Sequence, residues 1–261
     1  MCGRYASTRD PAILAVDFDA VDQTGGVAPG AGYNVAPTTP VLSVVARHPR
    51  DAEGAPDPDC TVRGIRVMRW GLVPHWAKNP GIGSRLINAR VESAVTKPAF
   101  RDAVARRRCL LPADGWYEWQ RRGTRKQPFF ITPADGSGLA MAGLWSIWRD
   151  SKAPDNPVLV TCAVLTTDAV GPLAEFHDRM PLLLPPAAWR GWLDPDFDVP
   201  PELLAPPPAS LVDALELRPV SAVVNNVRNS GPELLERVEP DQPALLDLDG
   251  EPADPALDPH G

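Results

Sequence analysis

"LAMAGLWSIW" (residues 139–148) and "VLVTCAVLTT" (158–167) decide the fold class. Both read as strands, since apolar, β-branched and aromatic side chains suit a pleated, buried surface. Working outward, "PFFIT" (128–132), "VRGIRVMRW" (62–70) and "VLSVVAR" (41–47) read the same way. The polar segment "RHPRDAEGAPDPDC" (47–60) between the last two reads as a long exposed hairpin loop, loop 49–60. Helical signals are few: "DPAILAVDF" (10–18), "KPAFRDAVARR" (97–107) and "LPPAAWRGWL" (184–193) each place proline ahead of spaced apolar residues. Many strands, few helices and no βαβ alternation predict an α+β fold. Its body is a single domain on a curved, largely antiparallel β-sheet or barrel. The 32 prolines favour tight turns over long elements.

At 261 residues the chain can bury a substantial core. No apolar run approaches the roughly 20 residues that span a bilayer, and no secretory pattern opens the chain. Cysteines 2, 60, 109 and 162 share no CxxC spacing, which points away from both a zinc site and a disulfide framework. The expectation is a reduced, cytoplasmic protein with no metal and no membrane partner.

The net charge of −7 is unevenly distributed. Residues 239–261 carry seven acids and no Lys or Arg, leaving a neutral body at 1–238. This Pro- and Asp-rich tail lacks any periodicity and is expected to be disordered. Residues 85–126 hold eleven Lys/Arg against four Asp/Glu, with Trp and Tyr interleaved. That combination suits a phosphate backbone with bases beside it, although a solvated basic face would look the same.

Chemically capable residues gather in a few segments. "MCGRY" puts a cysteine directly after a removable methionine, so that loss of Met1 leaves Cys2 with an α-amine and a thiol on adjacent carbons. "LINARVES" sets Asn88, Arg90 and Glu92 on one face if extended. "ADGWYEWQ" carries Glu118, and "FHDRMPLLL" carries His177 just ahead of an apolar run. Singly, each residue has an ordinary role: a surface histidine, an ion-paired glutamate, a turn-forming asparagine, core tryptophans. Together they supply a nucleophile, an acid, an imidazole and an amide, the makings of a catalytic site.

Ten blocks in order carry a resemblance: "CGRY", "YNVAPTT", "WGLVPHWAK", "NARVES", "KPAFRDAV", "RRCLLPADGWYEW", "KQPFFI", "AGLW", "FHDRMPLLL" and "VNNVRNSGPELL". Over residues 2–238 the chain resembles the SOS response-associated peptidase (SRAP) family, proteins that crosslink to abasic sites in single-stranded DNA. The resemblance implies that Cys2 is the nucleophile, with Asn88, Glu118 and His177 around it. It also implies that Arg4, Asn34, Trp76, Arg90, Lys97, Arg101, Trp119 and Thr167 contact DNA. Where some relatives carry paired aromatics, Trp76 is followed here by Ala77.

The implied partner is single-stranded DNA containing an abasic site, bound by a monomer that is nucleoid-associated when on DNA and uses no cofactor. The implied chemistry is a thiazolidine formed between Cys2 and the open-chain deoxyribose, with lyase and autopeptidase reactions available at the same nucleophile. Two other readings share these residues: an N-terminal-cysteine amidohydrolase acting on peptides, and a non-covalent single-strand binding module.

The charge split generates a test. A tethered acidic tail competes at high effective concentration for a basic groove. Deleting residues 239–261 is therefore expected to tighten DNA binding at low salt. The gain should fade as the Debye length shrinks below about 10 Å near 0.1 M salt. Equal binding by both lengths across a salt titration would remove the tail from the groove.

Overall fold

Residues 41–46, 108–113, 139–146 and 161–167 are buried without interruption, so the strands they form have both faces covered. The computed structural model describes residues 2–122, 125–153 and 155–240. Met1 and the expected disordered tail beyond residue 240 lie outside the described residues.

Among the described residues thirteen strands run in chain order: β1 (Tyr5–Ser7), β2 (Val21–Asp22), β3 (Gly32–Val35), β4 (Pro40–Arg47), β5 (Val62–Trp70), β6 (Asn88–Arg90), β7 (Arg108–Ala113), β8 (Gly115–Arg122), β9 (Arg125–Pro133), β10 (Leu139–Trp148), β11 (Leu159–Asp168), β12 (Arg179–Pro181) and β13 (Leu215–Pro219). The first sheet has the order β13-β9-β8-β1-β3. The second runs β12-β11-β10-β7-β4-β5-β2, with β6 beside β11. Strand β11 also pairs with β5, Thr161 opposite Arg69 and Cys162 opposite Trp70. The path β11-β10-β7-β4-β5 thereby returns to its start and closes a barrel, which removes the free edges of those strands. The expected α+β, largely antiparallel barrel with few short helices is what forms, and residues 48–61 are the predicted long connection of the β4–β5 hairpin.

Alternation along the strands sorts side chains into two cores. One face gathers Leu42, Val44, Ile65, Leu110, Leu144 and Leu165 under the helices α1 (Pro11–Asp17), α3 (Arg101–Arg106) and α4 (Pro186–Leu193). The other gathers Val41, Met68, Trp70, Leu111, Met141 and Val164 with Cys2, Tyr5, Trp116 and Ile131 from the first sheet. Gly143 lets β10 lie close to β7: a Cβ there would fall 2.5 Å from Leu111 Cδ1 and 2.9 Å from Cys109 Sγ.

Helix α1 starts as its sequence dictates. Pro11 leads the helix, and the Asp10 carboxylate accepts from the Ile13 N–H. Helix α3 begins only at Arg101, because residues 97–100 form a turn closed by Phe100 N–H to Lys97 C=O, with Phe100 buried. The condition that would set Asn88, Arg90 and Glu92 on one face, an extended "LINARVES", is met only in part. Extended backbone stops at Arg90, and a short helix α2 (Val91–Ala94) follows, burying Val91 and Ala94 and turning Glu92 off the Asn88–Arg90 face.

The basic stretch is also divided. Arg108 is buried and donates to the carbonyls of Trp192 (2.6 Å), Val104 (2.7 Å), Ala105 (2.5 Å) and Phe197 (2.8 Å), and to that of Asp194. Arg106 donates to Asp196 C=O at 3.0 Å and faces the Asp198 carboxylate. These two cations hold the 194–198 loop against α3 and are not part of a continuous basic groove. The remaining exposed cations are Arg85, Arg90, Lys97, Arg101, Arg121 and Lys126.

Arg108→Met should therefore cost stability. It strands several buried carbonyls, each worth about 1–3 kcal/mol when left without a partner. A loss of roughly 3 kcal/mol or more in urea unfolding is expected; a loss within about 0.5 kcal/mol, the range of ordinary surface changes, would show that water replaces the guanidinium.

Candidate active site

Cys2 stands where the two sheets meet. Register places it: Tyr5 of β1 pairs with Trp116 of β8, and Tyr117 N–H donates to Arg4 C=O at 3.0 Å. Extending that antiparallel register sets Glu118 opposite Gly3, next to Cys2. From the barrel, β6 runs parallel to β11 with Asn88 opposite Val164. The Asn88 Nδ2 donates to the Cys2 carbonyl at 2.8 Å, which ties the amino-terminal segment to the barrel. The Asn88 Oδ1 is buried without a partner among the described residues.

His177 arrives on the segment leading into β12, whose Arg179 pairs with Asp168 of β11. Phe176 packs edge-on against Phe129 at 4.8 Å, and Phe129 is the β9 partner of Glu118. That aromatic contact holds the His177 segment against the first sheet. The His177 Nδ1 accepts the Arg179 N–H at 2.9 Å and lies 2.5 Å from the Asp178 carboxylate. Arg179 itself is buried. It makes a two-pronged contact with Glu92 (2.5 and 3.0 Å), reaches Asp168, and donates to Thr166 C=O at 2.6 Å.

The electrostatics bind these groups into one site. Burial pushes the Cys2 thiol well above its ordinary range, with the Glu118 charge adding to the effect. Burial likewise raises the Glu118 carboxyl, opposed by the positive charge of the amino terminus. His177 is held below its ordinary value, first by burial and then by the amino-terminal charge, Arg179 and Arg90 against Asp178. Glu118 and His177 thus both sense the chain's first charge. A raised acid and a lowered imidazole bring the proton affinities of the two groups closer together, which suits exchange of a proton between them. Among the described residues no group of three His, Cys, Asp or Glu side chains could hold a metal ion, and all four cysteines are free.

The residues expected to hold DNA fall into separate places. Trp76 is half-exposed over a groove of about 400 Å³ lined by Lys78, Asn79 and Arg85. Arg90, Lys97 and Arg101 are exposed, Arg101 beside Asp102 at 3.5 Å. Thr167 is buried in β11. Arg4, Asn34 and Trp119 converge on the loop at 222–229. Arg4 donates to Asn34 Oδ1 (2.7 Å) and Val224 C=O (3.1 Å), and Trp119 Nε1 donates to Asn225 Oδ1 (2.7 Å). Sequence reasoning passed over Arg179 and Phe176. Both sit in "FHDRMPLLL", where a cation immediately before an apolar strand was the available signal.

Comparison with known proteins places the chain in a family. The family model described as SOS response associated peptidase (SRAP) matches residues 1–227. The chain is 36% identical over 244 residues to "Abasic site processing protein YedK" of Escherichia coli, covering 91% of this chain and 100% of that one. It is 35% identical over 242 residues to "Abasic site processing protein YoqW" of Bacillus subtilis, covering 90% and 99%. It is 32% identical over 270 residues to "Abasic site processing protein HMCES" of Xenopus tropicalis, covering 90% and 78%. A crystal structure of a Bacteroides thetaiotaomicron protein shares the fold, with a TM-score of 0.71 at 20% identity over 91% of this chain and 100% of that one. A Bordetella bronchiseptica protein does so with a TM-score of 0.65 at 26% identity over 84% and 100%. Ordered motifs, closed barrel and matching relatives converge: the chain belongs to the SRAP family.

Proposed function

We propose that this protein processes abasic sites in single-stranded DNA by forming a covalent thiazolidine between Cys2 and the open-chain deoxyribose. The observation that carries the proposal is the gathering of Cys2, Asn88 and Glu118 at the sheet junction, with the His177 segment packed against it. Relatives named as abasic site processing proteins support the substrate class.

Removal of Met1 frees the α-amine of Cys2. An α-amine of ordinary pKa near 7.7–8.0 is partly neutral at pH 7, where a lysine near 10.4 is almost fully charged. The amine nitrogen attacks the aldehyde carbon, and the carbinolamine loses water to give an imine. The Sγ then adds to the imine carbon while its proton passes to nitrogen, closing a five-membered ring. The net change is aldehyde plus aminothiol to thiazolidine plus water. A side-chain amine would stop at the reversible imine, which is why the nucleophile occupies the terminus.

The environment suits that order of events. The thiol is held protonated by burial, so the amine acts first and sulfur second. Glu118, with its raised affinity for a proton, takes one from the attacking amine and returns it to the departing water. His177, neutral at pH 7, relays protons between site and solvent. Asn88 fixes the Cys2 carbonyl and hence the direction of the amine.

Intact mass of the purified protein should begin at Cys2, and abasic oligonucleotide should add one equivalent stably to heat. Cys2→Ala should lose the stable adduct while retaining an imine that borohydride can trap. A heat-stable adduct from Cys2→Ala would overturn the ring assignment.

The pH dependence follows from two shifts of opposite sign. Burial raises Glu118 above the ordinary carboxylate value and lowers His177 below the ordinary histidine value. The working forms are the ionised carboxylate and the neutral imidazole, so the crosslinking rate should fall as pH drops and both groups take up protons. Glu118→Gln is expected to slow the reaction by roughly 10²–10⁴. Single-turnover rates between pH 4 and 8 check this, and a flat acid limb in the unmodified protein would remove both assignments.

A further inference from the structure

The motif "VNNVRNSGPELL" has no part in the covalent chemistry, yet the site's own strands hold it in place. Three side chains reach it from the first sheet. From beside β1, Arg4 donates to Val224 C=O (3.1 Å) and to Asn225 C=O (3.4 Å). From β3, the buried Asn34 Nδ2 faces the carbonyls of Val224 (3.2 Å), Asn226 (3.1 Å) and Asn229 (3.0 Å), while its Oδ1 receives Arg4. From β8, Trp119 Nε1 donates to Asn225 Oδ1 at 2.7 Å. Inside the loop, Asn226 Oδ1 accepts the Arg228 N–H (3.1 Å), and Asn229 Nδ2 donates to Val223 C=O (2.8 Å). The inward polar groups of the loop are therefore largely satisfied, and a loop so tied is preorganised for contact.

Its outward face is different. Val223 and Val227 are each about half exposed, and Arg228 is exposed with no ion pair or side-chain hydrogen bond among the described residues. Beside the loop lies a cleft of about 270 Å³ lined in part by Gly32, Thr39, Val227 and Ser230. A free guanidinium next to apolar side chains and a narrow cleft suits a phosphodiester with its sugar or base alongside. Arg4, which bonds this loop, lies two residues from Cys2.

We infer that residues 223–228 are a preformed contact surface for the DNA strand flanking the lesion, with Arg228 on a phosphate. Arg4, Asn34 and Trp119 are positioning residues that act through this loop. The inference rests on the proposed function, because it takes its ligand from that reading.

The experiment measures binding of a single-stranded oligonucleotide carrying a tetrahydrofuran abasic analogue, which lacks the aldehyde, across a salt series. Arg228→Gln should weaken binding at low salt and reduce the slope of log K against log salt by about 0.7, one single-strand phosphate contact. Asn34→Ala, which releases the loop, should reduce the slope similarly, and adding Arg228→Gln to it should cause no further drop. Where Asn34→Ala does not fold, Trp119→Phe removes only the bond to Asn225 and serves in its place. An unchanged slope in Arg228→Gln overturns the contact, and additive losses overturn the positioning role. Covalent capture of true abasic DNA by the unaltered protein, run in parallel, separates the two readings. Capture with an unchanged slope sinks this inference alone, whereas no capture sinks the functional reading and this inference with it.

Discussion

The barrel's arms of the site hang on strand β11, buried from Thr161 to Thr167 and paired along both edges. One edge carries β10 and then β12; the other carries β5 and then β6. A strand covered on both faces and both edges has almost no freedom to shift register, because a one-residue slip would turn every side chain to the wrong core. That rigidity is what allows β6 to deliver Asn88 on one side and β12 to fix His177 on the other. The first sheet then brings Cys2 and Glu118 to the same place by its own register.

Binding the two sheets together falls to a few specific contacts. Asn88 holds the Cys2 carbonyl, and Phe176 packs against Phe129. Neither of these is strong by itself: a neutral hydrogen bond nets about 1 kcal/mol, and an aromatic pair about 0.5–1.5 kcal/mol beyond its buried area. Their value is geometric. They fix the separation of groups on different sheets, and proton transfer between such groups depends steeply on distance.

The buried arginines divide the labour in a way that charge counting hides. Arg108 and Arg179 are both nearly inaccessible, yet one ties α3 to a remote loop and the other neutralises Glu92 and Asp168 behind His177. Arg179 keeps its charge because it lies among acids and a carbonyl; Arg108 keeps its charge among carbonyl dipoles. A buried cation without such partners would be costly.

The sequence by itself determined the strand-rich architecture, the β4–β5 hairpin, the start of α1 and the chemical kit of Cys2, Asn88, Glu118 and His177. Those follow from local pattern: apolar runs that need two covered faces, a proline after a capping aspartate, and a cysteine that only the terminus makes bifunctional. The tertiary structure alone decided which residues stand together. Pairing of β11 with β5 closes the barrel across some ninety residues of chain, and no local period encodes such a contact. The same is true of Arg108, whose charge reads as groove and whose partners make it core. It is true again of Arg4 and Asn34, which lie near the start of the chain but bond to residues 224–229, because a side chain's partner is set by the fold of the other segment.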